Sequence, residues 1–187
     1  MRRMHRTVVC SHYGDITSLK IDAVVNAANA SLQGGGGIDG AIHRAAGKQL
    51  LAECAKLFGC KTGDAKITSG YNLPASHVIH TVGPRGEHPL LLSSCYKRVM
   101  DIVKENDLKS VAFCCVSTGI YGYDNEKAAH VAFKTLHDWL DAHEDQVEKM
   151  DRIVLCVFLD KDENIYKRLL PQYFPKPDDA TERQTAS

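Results

Sequence analysis

Apolar residues along this chain recur in two rhythms that take turns. Short runs rich in β-branched residues read as strands: 6–13 (RTVVCSHY), 22–29 (DAVVNAAN, apolar at first and broken by its asparagines), 65–69 and 77–82 on either side of a proline-containing turn, 110–119 (SVAFCCVSTG) and 152–159 (RIVLCVFL). Between them the spacing becomes helical. Ile42, Ala45, Ala46, Leu50, Cys54 and Leu57 predict one helix over 39–58, which Gly47 weakens without ending. Leu91, Leu92, Cys95, Tyr96, Val99, Ile102 and Val103 predict a second, and Ala128, Ala132, Leu136, Trp139, Leu140 and His143 a third. Ile165, Leu169 and Leu170 belong to a last helix, and GDIT (14–17) reads as a turn.

Strands that alternate with helices, several of them apolar on both faces, predict an α/β sandwich with helices on both sides of a largely parallel sheet. Ligands of such sheets bind beyond the carboxyl ends of the strands. The segment 175–187 (PKPDDATERQTAS) is polar and proline-containing and reads as a disordered tail.

Charge and composition narrow the chemistry. Lysines and arginines number 23 and acidic residues 23, so the chain carries no overall positive field for nucleic acid, although a local anion site stays open. No apolar stretch is long enough to span a membrane, and MRRMHRTVVC has a basic cluster without the apolar core of a signal peptide. Seven cysteines occur without C-x-x-C spacing, and HExxH is absent. The expectation is buried or unpaired thiols in a reducing compartment, with no metal site. His77 and His80 fall at i, i+3 on a strand and so point to opposite faces.

The candidate chemistry lies in two glycine-rich turns. In SLQGGGGIDGAIHRAAG (31–47), Gly35, Gly37 and Gly40 spell the dinucleotide fingerprint G-x-G-x-x-G, but AANASLQ separates the loop from its strand. The acid expected about 20 residues further on falls near Cys60, with Glu53 the nearest carboxylate. A nicotinamide oxidoreductase is therefore disfavoured. The loop keeps its physical meaning: glycines let the backbone approach a ligand, and the helix that follows offers unpaired N–H groups and positive partial charge. STGIYGYD (117–124) is a second loop of this kind, again after a buried strand and before a helix. Two such loops on one crevice suit a diphosphate held by backbone amides. Tyr121 and Tyr123 either cover a sugar or pack in the core. Asp39 alone reads as a helix N-cap, and His43 stands one turn after it on the same helix face.

GDIT (14–17), DAVVNAANASLQGGGGIDGAIHRAAG (22–47), TGDAKITSGYNLPASHVIHTVGP (62–84), SVAFCCVSTGIYGY (110–123) and CVFLDKDENIYKRLLPQYFP (156–175) together resemble the macrodomain family, in its MacroD-type branch. The resemblance implies a three-layer α/β/α sandwich with a mixed, largely parallel sheet, one macrodomain over 1–174, and a cleft for ADP-ribose. Carried over by position, Asp15 would accept from the adenine amino group with Ile16 beside it, and Phe158 would wall the base. Gly36, Gly37 and Ile38 would hold the diphosphate from one side, and Ser117, Gly119, Ile120 and Tyr121 from the other. Asn29 would reach the distal ribose and Asn26 would organise the loop. The implied activity is metal-independent and cofactor-free. It is removal of mono-ADP-ribose from acidic side chains of modified proteins, and deacetylation of O-acetyl-ADP-ribose. Asp39 would orient and deprotonate a water, alone or together with a substrate phosphate oxygen, and His43 would either orient Asp39 or only pack. The alternative is a reader that binds ADP-ribose without turnover. Cys114 and Asp124 stand where relatives often carry proline, and 85–89 is shorter than in many of them, which bears on loop stiffness and the cleft rim. The expected partners are ADP-ribose, mono-ADP-ribosylated proteins and O-acetyl-ADP-ribose, with no membrane and no nucleic acid. The expected state is a monomer in the cytoplasm or nucleus, or in mitochondria if a presequence has been removed.

Overall fold

A computed structural model describes residues 8–176. Six strands, β1 (Val9–Tyr13), β2 (Ala23–Ala27), β3 (Ala65–Ser69), β4 (His77–Thr81), β5 (Ser110–Phe113) and β6 (Arg152–Val157), form one sheet in the order β1-β6-β5-β2-β4-β3. All neighbours run parallel except β3, an antiparallel edge strand hairpinned to β4. The expected mixed, largely parallel sheet is thus the one observed.

Six helices cover it: α1 (Gly37–Ala46), α2 (Lys48–Ala55), α3 (Pro89–Glu105), α4 (Asn125–Ala142), α5 (Glu144–Lys149) and α6 (Asp160–Tyr173). Strand alternation assigns the faces. Ala23 pairs with Val111, so Val25 and Phe113 share a side, and Phe113 stacks on Tyr96 of α3 with ring centroids 5.2 Å apart. Asn26 and its β4 partner His80 point to the opposite side, where they meet α1 and α2. The central strands are apolar on both sides because both sides are covered; Val24, Val25, Val78, Ile79, Val111 and Ala112 are buried.

The helix predicted over 39–58 is two helices, and Gly47 separates them. Its backbone sits at φ 88°, ψ 173°, outside any helical region and in φ territory that favours glycine. Its N–H still closes α1 onto the His43 carbonyl, while the chain turns to start α2. The break admits a neighbour from elsewhere: a Cβ on residue 47 would lie 2.9 Å from Asn72 Nδ2.

Other boundaries move less. β5 ends at Phe113 rather than 119, because 114–119 leave the sheet to form the second glycine loop, and α5 is an additional short helix. β1 begins at Val9, and the first residues of the segment read as 6–13 lie outside the described residues, as do 177–187 of the expected tail.

Candidate active site

The carboxyl ends of the parallel strands open into a cavity of about 790 Å³. β1 contributes Gly14, Asp15 and Ile16, β2 contributes Asn29 just beyond it, β5 the 114–121 loop, and β6 Phe158 and Leu159. The cavity therefore lies where parallel-sheet topology predicts a ligand.

The first glycine loop delivers α1 to this cavity. Gly36 is the N-cap, and no side chain caps the helix, so its first N–H groups are left for a ligand. Asp39 stands at the third helical position. The N-cap reading of Asp39 is overturned: its carboxylate caps nothing and turns into the molecule, 4% exposed, yet still lines the cavity floor. Asn26 Nδ2 donates to Asp39 Oδ1 at 2.8 Å. His43 Nε2 lies 3.4 Å from the same oxygen without hydrogen-bond geometry, so its influence there is electrostatic.

Asn29 also lines the cavity. It is braced by its own loop, donating to the Gly34 carbonyl at 2.9 Å and accepting from Ser31 Oγ at 2.7 Å. Across the cavity, Ser117 takes a left-handed conformation (φ 67°) and its hydroxyl is buried without a partner. Gly119, the 88% exposed Ile120 and Tyr121 complete this second loop. The two loops meet at the cleft mouth, where a Cβ on Gly36 would lie 4.0 Å from Ile120 Cδ1.

At the far end Asp15 caps the short turn Ile16–Ser18, its Oδ1 accepting from both the Thr17 amide (2.9 Å) and the Thr17 hydroxyl (2.7 Å). Phe158 stands at the rim, 74% exposed, an aromatic face with no protein covering it. Cys114, Cys115 and Cys156 also line the cavity. Burial pushes the Cys114 thiol up to about 12 and that of Cys156 up to about 11, and raises Cys115 as well. Burial thus favours the thiol over the thiolate at all three, which sets them against nucleophilic attack at this site.

Of the predicted site residues, Asp15, Ile16, Asn29, Gly36, Gly37, Ile38, Asp39, Ser117, Gly119, Ile120, Tyr121 and Phe158 are brought together around one cavity. Asn26 and His43 are not among its lining residues; both sit behind Asp39.

Residues 25–132, which carry the end of β2, the loop and helix of Asp39 and the whole second glycine loop, match the family model of the Macro domain. The chain belongs to the Macro domain family.

This macrodomain is 56% identical over 168 residues to a rat protein named ADP-ribose glycohydrolase MACROD1, covering 87% of this chain and 64% of that one. It is 54% identical over 182 residues to human ADP-ribose glycohydrolase MACROD2, covering 94% of this chain and 42% of the other. The chain thus spans less than two-thirds of the length of these relatives. A solved Trypanosoma brucei macrodomain in complex with ADP-ribose superimposes with a TM-score of 0.83 at 42% identity, over 87% of this chain and 68% of that one.

Two polar lining residues of the macrodomain cleft escaped the sequence reading. Arg85 places a permanent cation at the cavity, its guanidinium 4.7 Å from the centre of the Tyr121 ring. Asp162, in the first turn of α6, is 4% exposed, and its Oδ1 accepts from Asn125 Nδ2 at 2.7 Å. The one local cue is position: each follows closely on a strand's carboxyl end.

Proposed function

We propose that this macrodomain removes mono-ADP-ribose from acidic side chains of modified proteins and deacetylates O-acetyl-ADP-ribose, both ester hydrolyses. The observation that carries the reading is Asp39, a carboxylate on the floor of a cleft between two glycine loops, held in place from behind. A module that only binds has no use for a fixed carboxylate beside the loop that would hold the diphosphate.

Adenine lies at the Asp15–Phe158 end. There Asp15 Oδ2 takes no part in the turn and can accept from the exocyclic amine, while Phe158 supplies a stacking face. The diphosphate bridges the α1 N-terminus and the 117–121 loop, where backbone N–H groups and Arg85 neutralise it. The distal ribose then falls near Asn29 and Asp39. Asp39 holds a water by accepting its hydrogen bond and takes its proton as the ester is attacked. The Asn26 N–H fixes the rotamer of that carboxylate, and a substrate phosphate oxygen can share the water. A monomer acting on its own meets every requirement of this chemistry.

Incubation with a glutamate-linked mono-ADP-ribosylated protein tests the reading. Wild type releases ADP-ribose, and Asp39→Ala loses about 10²- to 10⁴-fold in turnover, the range of general base catalysis, while calorimetry still records ADP-ribose binding. Tight binding with no release by wild type makes the chain a reader and ends the hydrolase proposal.

A further inference from the structure

Behind Asp39, three elements bring together side chains that the hydrolytic chemistry does not require. His43 of α1, Cys54 of α2 and His80 of β4 each place one ligating atom within 4.8 Å of those of the other two. Cys54 Sγ and His80 Nε2 are 3.7 Å apart, and the two imidazoles are 6.2 Å apart centre to centre. His43 Nε2 is buried without a hydrogen-bond partner, and so is Asn26 Oδ1 next to the cluster. Orphaned buried polar atoms are uncommon and costly, and two of them adjoin one group.

We propose that His43, Cys54 and His80 bind a thiophilic divalent cation of the zinc class, and that its binding releases Asp39 from its positioning contact. Tetrahedral zinc with imidazole and thiolate ligands holds its donor atoms about 3.3–3.6 Å apart. One pair here is already near that spacing, and the remaining separations close by about an ångström of side-chain movement. Two nitrogens and one sulfur favour zinc or cobalt over magnesium or calcium, which take oxygen ligands.

The coupling to Asp39 follows from proton positions. Asn26 Nδ2 has two hydrogens: one goes to Asp39 Oδ1 (2.8 Å) and one to His80 Nδ1 (3.1 Å). His80 Nδ1 is therefore an acceptor, and the ring proton sits on Nε2, directed at Thr68 Oγ1 (2.9 Å). A metal on Nε2 needs that lone pair, so the proton must move to Nδ1. There it faces Asn26, whose amide turns to present its orphaned Oδ1. That turn withdraws the N–H from Asp39. No electron transfer is involved: the cation gains three ligand bonds, the Cys54 thiol gives its proton to solvent, and His80 exchanges Nε2–H for Nδ1–H. The site itself stands on the cluster alone, whereas the loss of activity rests on the hydrolase reading.

Titration of the purified protein with Co²⁺ is the test. At one equivalent a thiolate-to-cobalt charge-transfer band and intense tetrahedral visible bands are expected, and Zn²⁺ displaces both. Cys54→Ser lies off the cavity, so ADP-ribose affinity and metal-free hydrolysis remain at wild-type level while the thiolate band disappears, and the buried hydroxyl shows only as a lowered Tm. Zn²⁺ should slow ester hydrolysis more than tenfold in wild type and leave Cys54→Ser unaffected. Absence of the band in wild type, or its persistence in Cys54→Ser, overturns the site. A band without slowed hydrolysis overturns the coupling. Inactivity of metal-free wild type overturns the hydrolase reading and leaves the site standing on its spectrum.

Discussion

Asn26→Ala separates positioning from binding more cleanly than a change in the cavity. Asn26 is fully buried, and its amide donates to Asp39 Oδ1 and to His80 Nδ1. Truncation removes one hydrogen bond to a charged group, worth about 1.5–3 kcal/mol, and one between neutral groups, worth about 1 kcal/mol. It also leaves two buried acceptors unpaired at about 1–3 kcal/mol each, against which the loss of the orphaned Oδ1 gives back a similar amount for one group. The net expectation is a destabilisation of about 5 kcal/mol, which for a chain of this size lowers Tm by about 10–20 °C. Denaturant unfolding and calorimetry with ADP-ribose on the same sample make the assay. Stability should fall by that amount, hydrolysis should drop at least tenfold because Asp39 is no longer held, and ADP-ribose affinity should change less than threefold. Wild-type turnover in a variant destabilised as expected refutes the positioning role. Unchanged stability refutes the reasoning about the buried network.

Three further outcomes are expected. In Gly40→Ala the new Cβ would stand 2.6 Å from the Gly35 carbonyl oxygen, so the loop must move; ADP-ribose binding by calorimetry should weaken more than tenfold, with about 1–3 kcal/mol lost in stability from overpacking. Asp15→Asn keeps an oxygen for the Thr17 turn but removes the charge facing adenine, so affinity for ADP-ribose should fall by about fivefold, roughly 1 kcal/mol, and affinity for ribose 5-phosphate should hold. Burial, with the His43 ring adding to it, pushes the His80 imidazole down to about 3. The unfolded chain therefore binds a proton that the folded one refuses between about pH 6.5 and 3, and stability falls with pH across that window. The loss through His80 between pH 7 and pH 5 is about 2 kcal/mol, and urea unfolding of His80→Gln should lack this part of the slope.

Much of the fold was legible because it rests on local periodicity. Every predicted strand exists, and the four longer helices were marked by apolar residues repeating at helical intervals. α5 was missed because EDQVEK (144–149) buries only Gln146 and Val147, too few for a period to show. The cavity lining from Asp15 to Phe158 was reached through the resemblance to the macrodomain family, whose matching segments are contiguous stretches of the chain that fall at strand ends.

The sequence by itself determined the alternation of strands and helices, the two glycine loops, and the carboxylate placed after the first of them. All are encoded within a few residues of each other. Tertiary structure decided what depends on distant neighbours. Gly47 interrupts a helix at a point where Asn72 closes in. Arg85 enters the cleft beside Tyr121. Asp39 is not a cap but a buried group held by Asn26, itself tied to His80 from 54 residues further along the chain. Hydrogen bonds and close packing act over a few ångströms in space, whatever the separation in sequence, so only the folded chain could bring these groups together.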